Sequence, residues 1–352
     1  MAHVRFAARD PGGANVLAAF LRDWRPPPPH RHDIWSLPRA TAVFAGLDPR
    51  PLEERDLSRL TELWDQDPAD LLVTATSHYA PFEPTLWRLA RARGVPSLAL
   101  VDSWVNLDVR FREDRPQFVG AVDREQVPEL VALGFPEERV VVSGHPFLAS
   151  LVDRPVPTQT VEGPTRVLFV SEPIAEDMAR GANRPFGFDQ VDAFAVVHAA
   201  AMARAHAGQV VEVAVKFHPY EEPERFTRAL ANFEVHERLS VRALSRNELA
   251  ATWVAWAQLV CGIGSMLLLE AIAAGRPVVS VQPGLAREDT FIASRRGFVP
   301  LMTDAANAPA ALAVLVASAE ERARLLARNR QFLDTVDRSR GQAVARWIEE
   351  RL

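Results

Sequence analysis

The sequence holds one cysteine, Cys261, and one lysine, Lys216, in 352 residues. A single thiol excludes an intrachain disulfide and a thiolate metal cluster. Cys261 lies in the apolar run LVCGIG, where a buried packing role is expected. The nine histidines are scattered, and neither a ligand spacing nor an Asp-x-Asp signature predicts a bound metal. The H-R-H at 30–32, beside the four-proline run 26–29, is expected in an exposed loop. No G-x-S-x-G elbow is present, so no Ser-His-Asp triad is argued. No window approaches the roughly 18 apolar residues of a membrane span. The opening MAHVRFAARDPGG turns polar too soon for a secretory h-region. A soluble, cytoplasmic protein with no transmembrane segment is the expectation. Net charge is -5, which gives no general case for nucleic acid or an anionic membrane surface. The basic residues other than Lys216 are all arginine; a GC-rich genome accounts for such a bias, and it draws attention to the one exception.

What is present is an ordinary globular balance, 48% apolar and 24% charged, long enough for two domains. Short apolar runs alternate with longer amphipathic segments, the pattern of parallel sheets with crossover helices. In the first half strands are expected at 3–8, 41–45, 70–76, 97–102, 117–122 and 139–143, with helices at 14–24, 56–66, 84–93 and 123–133. The stretch 153–164, DRPVPTQTVEGP, reads as a linker. Strands then follow at 166–171, 211–217, 239–243, 259–262, 277–282 and 297–301, with helices at 191–205, 246–256 and 265–274. Helical sequence closes the chain at 309–317, 319–336 and 338–352. The expected fold class is α/β, two Rossmann-like domains with parallel sheets facing a central cleft. Residues 1–152 form the first, 165–335 the second, and 336–352 a helix returning to the first.

The most informative stretch is 259–284, LVCGIGSMLLLEAIAAGRPVVSVQPG, read as strand, glycine turn, helix, glycine stop and strand. Gly262 and Gly264 admit a close backbone approach. Ser265 is a good N-cap, and the free amides after it make an anion site suited to a pyrophosphate. Glu270, in the second turn, is placed to accept both hydroxyls of a ribose. The alternative is an ordinary crossover with a capping serine and a solvated glutamate. In 213–222, VAVKFHPYEE, a buried strand carries Lys216, His218 and Pro219 to its carboxyl end, where open α/β sheets bind ligands. His218 is a candidate phosphate donor, or a structural histidine capping the next turn. In 166–175, RVLFVSEPIA, Ser171 and Glu172 come to the same edge; Glu172 is a site residue or a solvated loop residue on equal terms.

These segments, KFHP at 216–219, GIGSMLLLEAIAAGRPVVS at 262–280 and SGHP at 143–146, resemble GT-B glycosyltransferases and their relatives, the UDP-N-acetylglucosamine 2-epimerases among them. Architecture resembles that superfamily over nearly the whole chain, the motifs over about 40 residues. The resemblance implies that His218, Ser265 and the Met266 amide hold a diphosphate and that Glu270 holds the ribose; Lys216, Gly264, Ser171 and Glu172 are donor-site candidates on their own placement. Two features depart from it. The paired-glutamate spacing of retaining GT-B enzymes is missing, since Gly262 and Ile263 stand where the second acid belongs, and the full epimerase motif set is missing too.

In the first half, RDPGGAN at 9–15 opens the first helix. Asp10 is a general base, an acceptor anchor or a helix cap; Gly12, Gly13 and Asn15 are acceptor-site candidates. VDSWVNLDVRFR at 101–112 puts Asp102 at a strand end, with Trp104, Asn106 and Phe111 as an aromatic and polar surface for a sugar. Trp104 is equally readable as ordinary packing. Ser77, His78 and Glu83 follow the third strand, and His145 lies in SGHP, where it contacts substrate or satisfies backbone groups. The leading expectation is a metal-independent glycosyltransferase, moving a sugar from a UDP-, CDP- or CMP-type donor to a small-molecule or glycan hydroxyl, with Asp10 or Asp102 as base. The alternatives are a sugar-nucleotide epimerase or hydrolase, and a CMP- or CDP-linked transferase of an acidic sugar or polyol phosphate. No permanently bound cofactor and no nucleic-acid partner are expected; a homodimer is compatible with every reading.

Overall fold

The computed structural model describes residues 1–77, 81–153, 163–179, 185–245 and 248–352. His78, most of the 153–164 linker and the expected helix start at 246 lie outside the described residues. The chain divides into two compact units, residues 1–153 with 336–352, and residues 154–335.

The first unit carries a sheet of seven strands: β1 His3–Ala8, β2 Arg31–Ser36, β3 Arg50–Pro51, β4 Leu71–Thr74, β5 Ser97–Leu100, β6 Phe118–Ala121 and β7 Val140–Val142. Their order is β3-β2-β1-β4-β5-β6-β7, every pair parallel. The second carries six: β8 Thr165–Val170, β9 Val211–Lys216, β10 Leu239–Ala243, β11 Leu259–Gly262, β12 Val278–Val281 and β13 Leu301–Met302. Their order, β10-β9-β8-β11-β12-β13, is also all parallel. In each sheet the chain runs outward one way from the first strand and then starts again on its other side. That reversal makes a switch point between β1 and β4, and another between β8 and β11. Ligands of doubly wound sheets bind there, outside the carboxyl ends of the strands.

Burial explains which strands are central. All six residues of β1 are buried, so helices cover both faces. The second sheet's core joins Val167 and Phe169 of β8 to Phe194 and Val197 of the Gln190–His206 helix and to Phe226. The Gln342–Glu349 helix belongs to the first unit: Val344, Trp347 and Ile348 share a core with Val4, Phe6, Leu17 and Phe20.

Two expectations in the first half need correction. The apolar run 41–45 is not a strand: Pro38–Thr41 is helical and Ala42–Phe44 is a 3₁₀ turn. Pro38 at the helix start fixes φ for that entry, and Ala40 and Phe44, four apart, face inward. The strand is instead β2, which begins inside the H-R-H; Arg31 is exposed, as expected, while His30 and His32 are half-buried. Its polar start is explained across the sheet. Asp33 lies opposite Arg5 of β1, which is wholly buried and donates to both Asp33 oxygens. His3 bonds the same carboxylate at 2.9 Å. In the second unit the last expected strand, 297–301, is displaced to Leu301–Met302.

Candidate functional site

In the second unit the switch point brings together three loops read from the sequence. The first is the glycine turn after β11. Ser265 caps the Met266–Ala273 helix, its Oγ accepting from the Leu267 amide at 3.3 Å. Gly275, at φ +74°, ends that helix. Buried Arg276 then donates to the carbonyls of Val254 and Ala255. The turn is braced from below: Ser280 Oγ and Gln282 Nε2 both donate to the Ile263 carbonyl, at 2.5 and 3.3 Å. The glycines are needed for packing within the protein. A Cβ on Gly262 would stand 2.8 Å from Leu268 Cδ2, and one on Gly264 would stand 3.1 Å from Thr290 Oγ1. Glu270 is half-buried on this helix.

The second loop follows β8. Ser171 is buried and donates to Glu221 at 2.7 Å. Glu172, partly open to solvent, reaches across the switch: its Oε1 accepts from the Gly264 amide at 2.5 Å. Burial pushes its carboxyl up to about 7, against the pull of the Gly264 and Ser265 amides, with Glu221 and Asp177 adding like charge.

The third is the His-Pro turn after β9. Glu221, wholly buried, accepts from the His218 amide at 3.1 Å through its second oxygen. Burial also pushes Glu221 up to about 7, ahead of the opposing bond from Ser171. His218 Nδ1 accepts from the Tyr220 amide at 3.2 Å, which places the proton of a neutral ring on Nε2. Lys216 ends β9 nearly buried, and burial lowers its pKa. Glu221 has no local signature in the sequence, because its partner Ser171 is 50 residues away.

In the first unit the corresponding edge is built around Glu83. It is wholly buried, and its Oε1 accepts from the Ser77 hydroxyl at 2.7 Å and the Arg9 amide at 3.0 Å. Its Oε2 has no hydrogen-bond partner, and burial pushes the carboxyl up to about 7. Asp10 precedes the Pro11–Asp23 helix without a side-chain capping bond, its oxygen lying 3.6 Å from Arg9. Capping, one of its three expected roles, is therefore not what the structure shows. Asp102 is committed to buried Arg110 and, at 3.3 Å, to Thr76. Its second oxygen stands 2.6 Å from where a Cβ on Gly12 would be, and a Cβ on Gly13 would collide with Ala75. Gly12 and Gly13 thus admit neighbouring protein. Asn15 is half-buried, and Asn106, in the left-handed region at φ +57°, is exposed.

The aromatic surface expected around Trp104 is interior. Trp104 is 7% and Phe111 3% exposed. Trp104 stacks on His145, with ring centroids 5.9 Å apart, and donates to Asp123 at 2.5 Å. Both His145 nitrogens are used by backbone groups, Leu148 N at 3.2 Å and the Asp102 carbonyl at 3.2 Å. His145 therefore satisfies backbone groups, the second of its two expected roles, and burial lowers its pKa. Among the described residues one triad has metal-like spacing, His3, Asp33 and Asp67. Arg5 pairs with both aspartates and Arg31 with Asp67, so its charge is already answered. No helix among the described residues is long and apolar enough to cross a membrane.

No protein-family model matches the chain, and no curated protein is similar to it. Solved structures are. A UDP complex of S. aureus MnaA has a TM-score of 0.69 at 10% identity, covering 99% of this chain and 96% of that one. The UDP-GlcNAc 2-epimerase of Neisseria meningitidis bound to UDP-GlcNAc has a TM-score of 0.67 at 11% identity, covering 99% of each chain. MurG of Acinetobacter baumannii has a TM-score of 0.57 at 13% identity, covering 99% of this chain and all of that one. The chain therefore has the two-domain α/β fold that UDP-GlcNAc 2-epimerases share with GT-B glycosyltransferases.

Proposed function

We propose that the second unit binds the diphosphate of a UDP-linked sugar and that the chain is a UDP-sugar-processing enzyme of the 2-epimerase kind. The observation that carries the proposal is the convergence at the β8–β11 switch: a serine-capped helix start, the His218 turn and partly exposed Glu172 occupy one sheet edge. The Ser265 and Met266 amides and the helix dipole take the diphosphate, His218 Nε2 donates to it, and Glu270 takes the ribose hydroxyls. Lys216 adds charge at the end of β9.

An epimerase is preferred to the transferase for two reasons. The epimerase structure of Neisseria meningitidis matches more closely, at a TM-score of 0.67, than MurG or the glycosyltransferase of kitacinnamycin, each at 0.57. In the first unit, Asp102 spends its Oδ1 on Arg110 and Thr76, and Trp104 offers no open face for an acceptor. UDP is preferred to CDP and CMP because UDP and UDP-GlcNAc are the ligands in the similar structures. Proton NMR of UDP-GlcNAc incubated with the protein and no acceptor tests this reading. A second UDP-N-acetylhexosamine, differing at C2, is expected. An unchanged spectrum that yields free UDP only when a glycan acceptor is added would replace the epimerase with the transferase.

A further inference from the structure

Glu83, Glu172 and Glu221 each hold a carboxyl pushed up to about 7 at the carboxyl edge of a sheet, and Glu172 differs from the other two. Glu83 and Glu221 are wholly buried, and each ties its own loops with a serine hydroxyl and a backbone amide. Glu172 is partly exposed, and its donors, the Gly264 and Ser265 amides, lie at the glycine turn that opens the next helix. A carboxylate in that position does for the turn what a phosphate oxygen would do.

We propose that Glu172 is a resident anion of the glycine-turn pocket, displaced when a diphosphate enters, so that binding of a UDP-sugar takes up a proton. The inference rests on the nucleotide reading above. Two anions cannot both accept the same amides. Among the described residues, the charges that act on Glu172 are acidic, Glu221 on the turn after β9 and Asp177 on the Ile174–Ala179 helix, and the glycine turn offers it the Gly264 and Ser265 amides. The displaced carboxylate is stripped of its amides among like charges. It takes a proton from solvent, and the diphosphate oxygen accepts the amides in its place. The carboxyl already sits at about 7, so the proton is available near neutrality.

Calorimetric titration with UDP-GlcNAc tests this, because its diphosphate diester does not titrate between pH 6 and 8. The wild type and Glu172→Gln are compared; Gln keeps an acceptor for the Gly264 amide and removes the charge. Glu172→Gln should bind about tenfold more tightly than the wild type at pH 8 and nearly equally at pH 6, the dependence expected of one group near 7. At pH 8 the wild type should take up close to one proton per UDP-GlcNAc, read from buffers of different ionisation enthalpy, and Glu172→Gln markedly less. His218 and Glu221 remain in both proteins, so the difference isolates Glu172. Equal affinities at pH 8 with no proton uptake by the wild type would overturn the inference and leave the nucleotide site standing. Binding by neither protein at any pH would overturn the nucleotide reading and this inference together. If Glu172→Gln does not fold, Glu172→Ala takes its place in the same two comparisons, with the same results expected and the same results overturning the inference.

Discussion

The Ser171 hydroxyl donates to Glu221 at 2.7 Å, joining the loop after β8 to the turn after β9 through a bond that is buried on both sides. The second oxygen of the same carboxylate holds the His218 amide. The histidine that the sequence points to is thus positioned by a glutamate three residues on and a serine in the loop after β8.

That bond makes a quantitative prediction. A buried hydrogen bond to a charged group contributes about 1.5–3 kcal/mol, and removing one partner strands the other. Above about pH 8, where Glu221 is ionised, Ser171→Ala should lower stability to urea by an amount in that range. In a Glu221→Gln background its cost should be smaller, because the charge-assisted part has already gone. A double-mutant cycle of urea unfolding checks this; strict additivity would show that the two groups do not interact.

Glu83 predicts a pH dependence opposite to that of an ordinary carboxylate. Burial holds its carboxyl at about 7 in the folded protein, against the ordinary 4.5. The native state therefore holds a proton that the unfolded state releases, and stability falls as pH rises from about 4.5 to 7. The shift corresponds to about 3 kcal/mol as an order of magnitude. Glu83→Gln should match the wild type in melting temperature at pH 5 and exceed it at pH 8. Equal melting temperatures at pH 8 would show that Glu83 ionises without penalty.

Trp104 is predicted to act through packing. Trp104→Ala should cost about 3–5 kcal/mol in unfolding free energy, the usual range for a buried tryptophan. Trp104→Phe should recover part of that loss but not the bond to Asp123. Wild-type stability for Trp104→Ala, combined with weaker binding of a sugar ligand, would return this side chain to a ligand surface.

Ser265→Ala should cost about 0.5–2 kcal/mol, the range for a lost N-cap, because the Leu267 amide loses its partner. Ser265→Asp should restore the cap while weakening UDP binding, since it places a second anion beside the amides. Calorimetry on the two variants separates the cap from the ligand site.

Much of this was readable because it is local. The glycine turn, the Ser265 cap and the Gly275 stop fall within a dozen residues and follow backbone rules. The centrality of β8 shows in the apolar run Val167–Val170, and that of β1 in Phe6–Ala8 despite His3 and Arg5 before them. What the sequence hid depends on distant partners. The polarity of β2 makes sense only with Arg5 opposite Asp33, a register that no window of sequence contains. Trp104 reads equally as sugar platform or packing in the sequence because His145 and Asp123, which enclose it, are far along the chain. Glu221 sat inside a recognised motif and went unassigned, since its neighbour Ser171 comes from another strand.

The central claim is that the β8–β11 edge of the second unit takes a uridine diphosphate. Thermal unfolding of the wild type, His218→Ala and Glu270→Ala with UDP, CDP and CMP tests it most directly. A ligand at a hundred times its dissociation constant stabilises by about 2.7 kcal/mol. UDP should raise the wild-type melting temperature by several degrees, CDP and CMP far less, and both variants should lose the UDP shift. No shift with UDP, or a shift that survives in both variants, would contradict it.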